Sequence, residues 1–314
     1  MTDLSYLAAL PVATDTAWLF PGQGAQAVGM GRDLAEQIPV SRAIFDAADA
    51  ALGISLSSIC FDGPEADLTQ TVNTQPALVV HAIAALVAAV DAGAITHRPA
   101  FVAGHSLGEY AALIASNAVP FEEGVRLVRE RGRLMQVACD AQPGTMAALI
   151  GMEPDAVRAL CAAHGTSICN INAPGNITIG GTVDAVTAAC AAAQAGGGRV
   201  FPLTVSGAFH TPLMQSAADG MRAVLAATSF AAPSVPVISN VTTKPLTEAS
   251  AFAAELTDQI TSPVLWVDSV RAMSALGVTK VIEFGPGRVL TALVKRIDGS
   301  IELRNIGTVD EVRA

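Results

Sequence analysis

The sequence contains few charged and few aromatic residues. Of its 314 residues, 15% are charged and 4% are aromatic, whereas a typical soluble domain has about 25% charged residues. The 18 Lys and Arg are outnumbered by 28 Asp and Glu, which gives a net charge of −10. This scarcity of cations argues against a general affinity for nucleic acid or for anionic membranes. We therefore predict that neither is a partner.

Paired cysteines and metal-binding patterns are also missing. The five cysteines are scattered, and none forms a C-x-x-C pair or a cluster with histidine at the spacing of a zinc site. We expect them to be small buried side chains in a reducing compartment. The sequence therefore predicts no metal site. The cysteines are Cys60, Cys139, Cys161, Cys169 and Cys190.

Apolar runs long enough to cross a bilayer are lacking as well. The longest, from Ala77 to Val90, has 14 residues and is interrupted by His81, while a spanning helix needs roughly 20. It predicts a buried helix. The segment from Met1 to Asp15 contains acids and a proline instead of the basic start and apolar run of a signal peptide. We expect a cytoplasmic protein whose 51% hydrophobic residues fill a large core.

Two different orders of elements follow one another along the chain. Up to about residue 140, and again from Thr211, short apolar runs precede helical patterns, as Ala17 to Phe20 precedes Gly29 to Leu52. This alternation is typical of a parallel sheet covered by helices. Between Gly144 and Val205 the order is β-α-β-β-α-β, with a last strand from Arg199 to Val205, which is the ferredoxin-like order.

We therefore predict an α/β fold made of two domains. A parallel-sheet domain comprises residues 1–140 and 207–314, and a ferredoxin-like α+β domain, residues 141–206, is inserted into it. The cleft between them is the expected ligand site.

The pentapeptide Gly104-His105-Ser106-Leu107-Gly108 matches the pattern G-x-S-x-G. An apolar strand is expected before it and a helix after it, which is the setting that this motif needs. Glycine permits a sharp turn that exposes Ser106 at a helix N-terminus, where negative charge is favoured. Ser106 is therefore the candidate nucleophile, although Gly and Ser also form ordinary strand-to-helix turns. We expect His105 to be a neighbour of the turn rather than a base.

A serine nucleophile needs a base, and His210 has the most distinctive setting among the other histidines. It closes Ser206-Gly207-Ala208-Phe209-His210, where the chain leaves the inserted domain and can face the cleft. No Asp between Ser106 and His210 stands in a telling context, so the orienting group is expected to be a backbone carbonyl. The histidines expected to be structural are His81, His97 and His164.

The segment from Glu122 to Ala138 predicts an amphipathic helix with one conflicting residue. At about 100° per residue, Arg131 falls near the middle of the apolar face. A guanidinium there needs a carboxylate partner or a path to solvent. Two interpretations stay open: a structural ion pair with a buried acid, or a clamp on a substrate carboxylate beside Ser106. On the opposite, solvent-facing side lie Arg126, Arg129 and Arg133.

Two glycine-rich segments follow predicted strands. Phe20-Pro21-Gly22-Gln23-Gly24-Ala25-Gln26 lets backbone amides approach a ligand closely, so it either completes an oxyanion hole or is an ordinary Gly/Pro loop. Glu283-Phe284-Gly285-Pro286-Gly287 is expected to be a structural turn.

Together these motifs resemble those of the malonyl-CoA:acyl-carrier-protein transacylases of type II fatty-acid synthesis. The resemblance runs from about Ala17 to Ile297, in the family's order and spacing. It implies a hydrolase-like α/β domain with a ferredoxin-like insertion, which agrees with the order of elements above. No role is predicted for the residues up to Thr16. The motifs are Phe20-Pro21-Gly22-Gln23-Gly24, Gln75-Pro76-Ala77-Leu78, Gly104-His105-Ser106-Leu107-Gly108-Glu109-Tyr110, Arg131-Gly132-Arg133-Leu134-Met135-Gln136, Gly207-Ala208-Phe209-His210 and Glu283-Phe284-Gly285-Pro286-Gly287.

The resemblance implies an activity and roles for three reacting residues. Ser106 would be the nucleophile, His210 the base and Arg131 the clamp on the malonyl carboxylate. The malonyl group would pass from malonyl-CoA to Ser106 and then to the phosphopantetheine thiol of acyl carrier protein, in ping-pong order. No metal or organic cofactor would be needed.

The resemblance also implies supporting roles. The backbone amides of Gln23 and Leu107 would form the oxyanion hole, and the carbonyl of Gln259 would orient the histidine. Leu107 and Phe209 are similar to the malonyl-type choices, which would crowd an α-methyl group.

Other functions use some of the same residues. A polyketide-type trans-acting acyltransferase or a serine thioesterase shares Ser106 and His210, but a hydrolase gives no reason for Arg131 on an apolar face. A non-catalytic carrier-binding module is a third, weaker alternative. We expect a monomer that docks acidic carrier proteins through a local basic patch. The patch candidates are Arg126 with Arg129 and Arg133, or Lys280 with Lys295 and Arg296.

Overall fold

The structure is a computed structural model that describes residues 2–314. Two β-sheets organise this part of the chain, and helices pack on both. The strands are β1 (Val12–Phe20), β2 (Arg98–Gly104), β3 (Gly144–Ile150), β4 (Ser167–Ala173), β5 (Asn176–Thr182), β6 (Arg199–Pro202), β7 (Val237–Ile238), β8 (Pro245–Leu246), β9 (Lys280–Phe284) and β10 (Glu302–Ile306).

The α-helices fill the connections between these strands. Short 3₁₀ turns at Pro212–Met214 and Ala249–Ala251 precede two of them. The α-helices are α1 (Tyr6–Ala9), α2 (Arg32–Gln37), α3 (Pro39–Leu52), α4 (Leu56–Asp62), α5 (Glu65–Leu68), α6 (Thr71–Asp91), α7 (Gly108–Ala115), α8 (Phe121–Ala141), α9 (Pro154–His164), α10 (Val183–Ala195), α11 (Gln215–Ala226), α12 (Phe252–Asp258), α13 (Trp266–Ala275), α14 (Val289–Ile297) and α15 (Val309–Arg313).

The larger sheet has six strands in the order β10-β9-β1-β2-β7-β8. The first five run parallel, and β8 pairs antiparallel with β7. On β1, Trp18 and Phe20 join the hydrophobic cluster on one face, while Ala17 and Leu19 join the cluster on the other. Successive residues of a strand point to opposite faces. This continuous apolar run is therefore buried on both sides, as is usual in a parallel sheet.

The smaller sheet has four antiparallel strands in the order β4-β5-β3-β6. With α9 and α10 it has the β-α-β-β-α-β order of a ferredoxin-like domain. The predicted fold class, a parallel-sheet α/β domain carrying a ferredoxin-like insertion, is confirmed. The domain boundaries at residues 140 and 207 stay a prediction, and the four strands of the smaller sheet lie between them.

A short backbone pairing ties the two sheets together. Val264, in the segment between α12 and α13, forms a parallel bridge with β4. Its N–H donates to the carbonyl of Cys169 at 2.9 Å, and its carbonyl accepts from the N–H of Ile171 at 2.9 Å. The segment around residue 264 therefore belongs to the packing of both sheets.

Two predicted elements differ in extent from the observed ones. The helix predicted from Gly29 to Leu52 is split, because α2 ends at Gln37 and Pro39 begins α3. Proline lacks an N–H and is tolerated only in the first turn of a helix, so it starts a new one. The strand predicted from Arg199 to Val205 ends at Pro202, and residues 203–205 line the cleft described below.

The first residues, for which no role was predicted, are part of the fold. Leu4 and Leu7 are buried in the core, and the Asn117 side chain donates to the carbonyl of Leu4 at 3.0 Å. Helix α6, which contains the apolar run from Ala77, is long and apolar enough to cross a membrane, with a mean hydropathy of 1.5. Yet 94% of that stretch is buried inside the protein, as predicted for a core helix.

Candidate active site

The turn between β2 and α7, here called the elbow (residues 104–108), presents Ser106. The φ of Ser106 is +53°, a left-handed conformation that is rare for residues other than glycine. A Cβ on Gly104 would lie 1.9 Å from the backbone of Gly108, and a Cβ on Gly108 would lie 2.2 Å from the carbonyl oxygen of Phe20. Both positions therefore require glycine, and the strain of the turn falls on the serine.

A side chain that the sequence did not point to holds the elbow in place. Asn240, which follows β7, is buried; its Oδ1 accepts from the Ser106 N–H at 2.7 Å, and its Nδ2 donates to the Gly104 carbonyl at 2.6 Å. One amide thus satisfies two backbone groups of the elbow, the carbonyl of Gly104 and the N–H of the strained residue.

His210 lies directly against the serine. Its Nε2 is 2.8 Å from Ser106 Oγ, and its Nδ1 lies 2.8 Å from the carbonyl oxygen of Gln259 and 3.1 Å from that of Ser262. Since carbonyl oxygens only accept, the hydrogen-bond pattern assigns the ring proton to Nδ1. The lone pair on Nε2 then faces the serine hydroxyl.

The imidazole is held in its neutral form. Burial, followed by the positive charge of Arg131, lowers the pKa of His210 to about 3, against the opposing hydrogen bonds to Gln259 and Ser262. A neutral imidazole is the form that can accept a proton.

Arg131 reaches the same point from α8. It is 1% exposed, and its Nη2 donates to Ser106 Oγ and to Gln259 Oε1, each at 3.0 Å. Its Nη1 donates to Gln75 Oε1 at 2.7 Å, and its Cζ lies 5.9 Å from the centre of the Tyr110 ring. All of these partners are uncharged.

Neither environment expected for this guanidinium is observed. Within residues 2–314 no carboxylate lies within ion-pair distance of Arg131, and the side chain does not reach solvent. Amide oxygens take the place of a carboxylate instead. Burial lowers the pKa of Arg131 from its ordinary value, which reflects the incomplete compensation of its charge.

Two backbone amides beside the serine are free to bind a ligand. In the described part of the chain, neither the Gln23 nor the Leu107 N–H donates to a protein acceptor. Leu107 directly follows the nucleophile position, and Gln23 lies in the glycine-rich loop after β1. The Gln23 side chain is directed elsewhere, with Nε2 3.4 Å from Thr71 Oγ1.

These groups line one cleft of about 1060 Å³ between the two sheets. The larger-sheet side contributes Gln23, Ser106, Leu107, Arg131 and His210, and the smaller-sheet side contributes Met146 and Asn170. Phe209, largely buried, also lines it. Among the lining residues in the described chain, Arg131 is the sole Lys or Arg. The remaining lining residues include Gln26, Glu65, Thr69, Gln70, Leu203, Thr204, Val205 and Ser206.

The structure thus brings together all seven site residues chosen from the sequence. Of the other histidines, His105 also lines the cleft. His105 turns away from the serine: its Nε2 lies 2.9 Å from Asn172 Oδ1, on the smaller sheet. His81 is buried in α6, where burial lowers its pKa to about 4. Within residues 2–314, no group of three or more His, Cys, Asp or Glu could hold a metal ion.

Three residues of the site were missed as such. Gln75 lies in a motif quoted for the family resemblance, so its position could have been noticed. Asn240 stands in a segment with no distinguishing pattern. Ser262 lies three residues after Gln259, in the segment that the family resemblance implies for orienting the histidine. Only the folded chain brings them to the site.

Comparisons with known proteins agree with this geometry. The family model described as "Acyl transferase domain" matches residues 17–304. A malonyl CoA-acyl carrier protein transacylase of Bacillus subtilis (strain 168) is 43% identical over 288 residues, which cover 90% of each chain.

Solved structures show the same likeness. An acyl carrier protein S-malonyltransferase from Vibrio cholerae is 42% identical, with a TM-score of 0.91 over 95% of this chain and 99% of that one. A structure of a type II polyketide acyl-carrier protein in complex with its malonyl-transacylase matches with 37% identity and a TM-score of 0.92, over 95% and 98% of the two chains. The chain therefore belongs to the malonyl-CoA:acyl-carrier-protein transacylase family of acyltransferases.

Proposed function

We propose that the protein transfers the malonyl group of malonyl-CoA to the phosphopantetheine thiol of acyl carrier protein through a malonyl ester on Ser106. The observation that carries this proposal is Arg131. A buried guanidinium with uncharged partners, in hydrogen-bond contact with the candidate nucleophile, fits an acyl group that brings its own carboxylate. Malonyl is such a group.

Acylation begins with a proton transfer. Neutral His210 accepts the Ser106 proton at Nε2 while its Nδ1–H stays bound to the Gln259 carbonyl, and Ser106 Oγ attacks the thioester carbon. The 2.8 Å distances on both sides of the ring support this role. The carbon–sulfur bond then breaks, and CoA leaves as the thiol with the proton from His210.

The developing oxyanion needs donors. The free amides of Gln23 and Leu107 would supply two hydrogen bonds that are already oriented before the reaction. Leu107 is also the N-cap residue of α7, and the helix dipole favours negative charge at this end of the helix. Leu107 and Phe209 together would leave little room for an α-methyl group.

The second half-reaction uses the same cleft. CoA and the carrier protein both present a phosphopantetheine arm, whose amides are uncharged. The cleft is lined mainly by neutral amide, hydroxyl and apolar side chains, with Arg131 as the one cation and Glu65 as the one carboxylate among the described lining residues, which suits that arm. The carrier thiol would give up its proton to His210 and attack the malonyl ester, which regenerates Ser106.

We further propose a monomeric, cytoplasmic enzyme that uses neither nucleic acid nor membrane and no cofactor. The five cysteines are free thiols, which suits a reducing compartment. Arg126 and Arg133 are paired with Glu123 and Glu130, whereas Arg129, expected to face solvent, is half-buried and donates to Asn73 Oδ1 at 3.3 Å. In the other patch, Lys280 is paired with Asp15 at 3.7 Å. Both patches stay candidates for docking the carrier protein.

Labelling with malonyl-CoA tests the proposal. After incubation, mass spectrometry should show a malonyl group on Ser106, and Ser106→Ala should carry none. His210→Ala should slow single-turnover labelling by roughly 10²- to 10⁴-fold, the usual contribution of a general base. Labelling at another residue, or unchanged labelling in Ser106→Ala, would overturn the assignment.

A second measurement separates transfer from hydrolysis. CoA release should speed up when the carrier protein is added, because its thiol is the second acceptor. A serine hydrolase would release CoA at one rate with and without carrier protein, since water would resolve the ester.

A further inference from the structure

The buried side chain of Gln259 connects Arg131, Ser106 and Glu109 by hydrogen bonds. Its Oε1 accepts from Arg131 Nη2 at 3.0 Å. Its Nε2 donates to the Ser106 carbonyl at 3.0 Å and to Glu109 Oε2 at 2.6 Å. Gln259 is fully buried, so these three contacts must satisfy the whole amide.

The orientation of this amide decides what Arg131 meets. An amide turned by 180° exchanges oxygen and nitrogen, and would then direct an NH₂ group at the guanidinium, donor against donor. The two acceptors of Gln259 Nε2, the Ser106 carbonyl and Glu109 Oε2, select the observed orientation. Glu109 provides the shorter of the two contacts that do so.

The environment of Glu109 does not suit an ionised carboxylate. Glu109, on α7, is 0% exposed, and its Oε1 has no hydrogen-bond partner in the described chain. By contrast, the buried carboxyl of Glu283 accepts from the N–H groups of Leu290 and Thr291 and from two side chains. A charged oxygen without a donor is far more costly to bury than a neutral one.

The charged groups around Glu109 act in both directions. Burial, followed by the negative charge of Glu255 on α12, raises the pKa of Glu109 well above its ordinary value. The hydrogen bond from Gln259, the nearby backbone N–H of Asn240 and the positive charge of Arg131 on α8 oppose this rise. Tyr110, the next residue, stays protonated because burial raises its pKa too.

We propose that Glu109 is a positioning residue that is held as a neutral carboxylic acid, fixes the Gln259 amide, and thereby aligns Arg131 for a substrate carboxylate without neutralising it. The substrate part of this inference rests on the proposed function. An ionised Glu109 would instead be an internal counter-ion of Arg131 and would reduce what a malonyl carboxylate gains by binding there. The neutral acid keeps the cation available.

Infrared difference spectroscopy tests the protonation state without any substrate. The spectrum of Glu109→Gln subtracted from that of the parent protein at pH 7 should show the loss of a protonated carboxylic-acid C=O band. Loss of carboxylate bands instead would overturn the proposal. This outcome does not depend on malonyl transfer, so it is separable from a failure of the proposed function, which would show as an unlabelled Ser106 in the parent protein.

Kinetics test the positioning role. Glu109→Gln keeps an acceptor for Gln259 Nε2, so single-turnover kcat/KM for malonyl-CoA should stay within about threefold of the parent value. Glu109→Met has a similar size but no acceptor, and should lower it by about tenfold or more, the effect of one lost buried hydrogen bond. Labelling by acetyl-CoA, which has no carboxylate, should change less than labelling by malonyl-CoA.

Glu123→Met is the matched control, because Glu123 pairs with Arg126 on the surface. This variant should change neither kcat/KM for malonyl-CoA nor the ratio of malonyl-CoA to acetyl-CoA labelling. Equal losses with malonyl-CoA and acetyl-CoA in Glu109→Met would reduce Glu109 to a structural role and overturn the proposal. So would a Glu109→Gln variant as impaired as Glu109→Met. If Glu109→Met fails to fold, the infrared band still tests the protonation state of Glu109, and a lower malonyl-to-acetyl ratio in Glu109→Gln would overturn the proposal that a neutral acceptor is sufficient.

Discussion

Helix α8 carries arginines in two opposite environments. Arg126 and Arg133 are exposed, and each pairs with a glutamate three residues earlier, Glu123 at 3.3 Å and Glu130 at 2.7 Å. Arg131 is buried and meets no carboxylate in residues 2–314, only amide and hydroxyl oxygens. The buried arginine therefore has only uncharged partners, whereas the two exposed arginines have ionic ones.

Selection for stability alone would give the reverse arrangement. Exposed ion pairs contribute about 0–1 kcal/mol each, whereas a buried charge without an ionic partner is destabilising. This difference supports the proposed role of Arg131, which is to bind the carboxylate of a substrate that enters and leaves the site. Four predictions, made with three substitutions, break or sharpen this contrast.

Arg131→Met should have the largest effect. It should lower kcat/KM for malonyl-CoA by about 10²- to 10³-fold, because truncating one member of a buried hydrogen-bonded charge pair costs about 2–5 kcal/mol. Activity on acetyl-CoA should rise relative to malonyl-CoA, since that substrate offers no carboxylate. Single-turnover labelling with both substrates measures this, and equal losses would contradict a clamp.

Arg131→Lys should have the next largest effect. It keeps the charge, but an ammonium cannot bind a carboxylate in the two-pronged way of a guanidinium while also reaching Gln75 and Gln259. We expect a loss of about tenfold in kcat/KM for malonyl-CoA, mainly as a higher KM. Parent-like kinetics would mean that only the charge matters.

The pH dependence should change with Arg131 as well. As the proposed base, His210 would act only when unprotonated, so acylation should stay constant above its pKa and fall below it. Because Arg131 helps to lower the pKa of His210 to about 3, Arg131→Met should raise that pKa. The acid limb of acetyl-CoA labelling should then move to higher pH, measured from about pH 4 to 8. If the acid limb stays at the same pH, the charge of Arg131 does not affect the pKa of His210.

Arg133→Met is the smallest change and the control for the three above. The free energy of unfolding should fall by no more than about 1 kcal/mol, the usual value for an exposed pair. Labelling by malonyl-CoA and its acid limb should match those of the parent protein. A large loss of labelling in Arg133→Met would remove the contrast between the two faces.

The sequence predicted the fold well wherever periodicity was strong. The strand-helix alternation and the β-α-β-β-α-β insertion both follow from apolar spacing. It failed at some element boundaries. Pro39 divides a helical pattern that is continuous in hydrophobicity, and β6 ends at Pro202 although the apolar pattern continues to Val205.

The site also contains residues that local sequence predicted and contacts that it could not predict. Helical projection placed Arg131 on a buried face, and the elbow motif placed Ser106, because each depends on local spacing. The partners of Arg131 could not be predicted, since Gln75 and Gln259 lie 56 and 128 residues away and meet it only in the folded chain. Nor could the local sequence show that a buried guanidinium would meet amides instead of an acid.

The bridge at Val264 gives the cleft a mechanical property. Val264 is paired with β4 and lies two residues after Ser262, one of the two carbonyls at His210 Nδ1. One short segment therefore pairs with the smaller sheet and also contacts the imidazole. The position of the smaller sheet and the placement of this acceptor are thus linked through two residues of backbone.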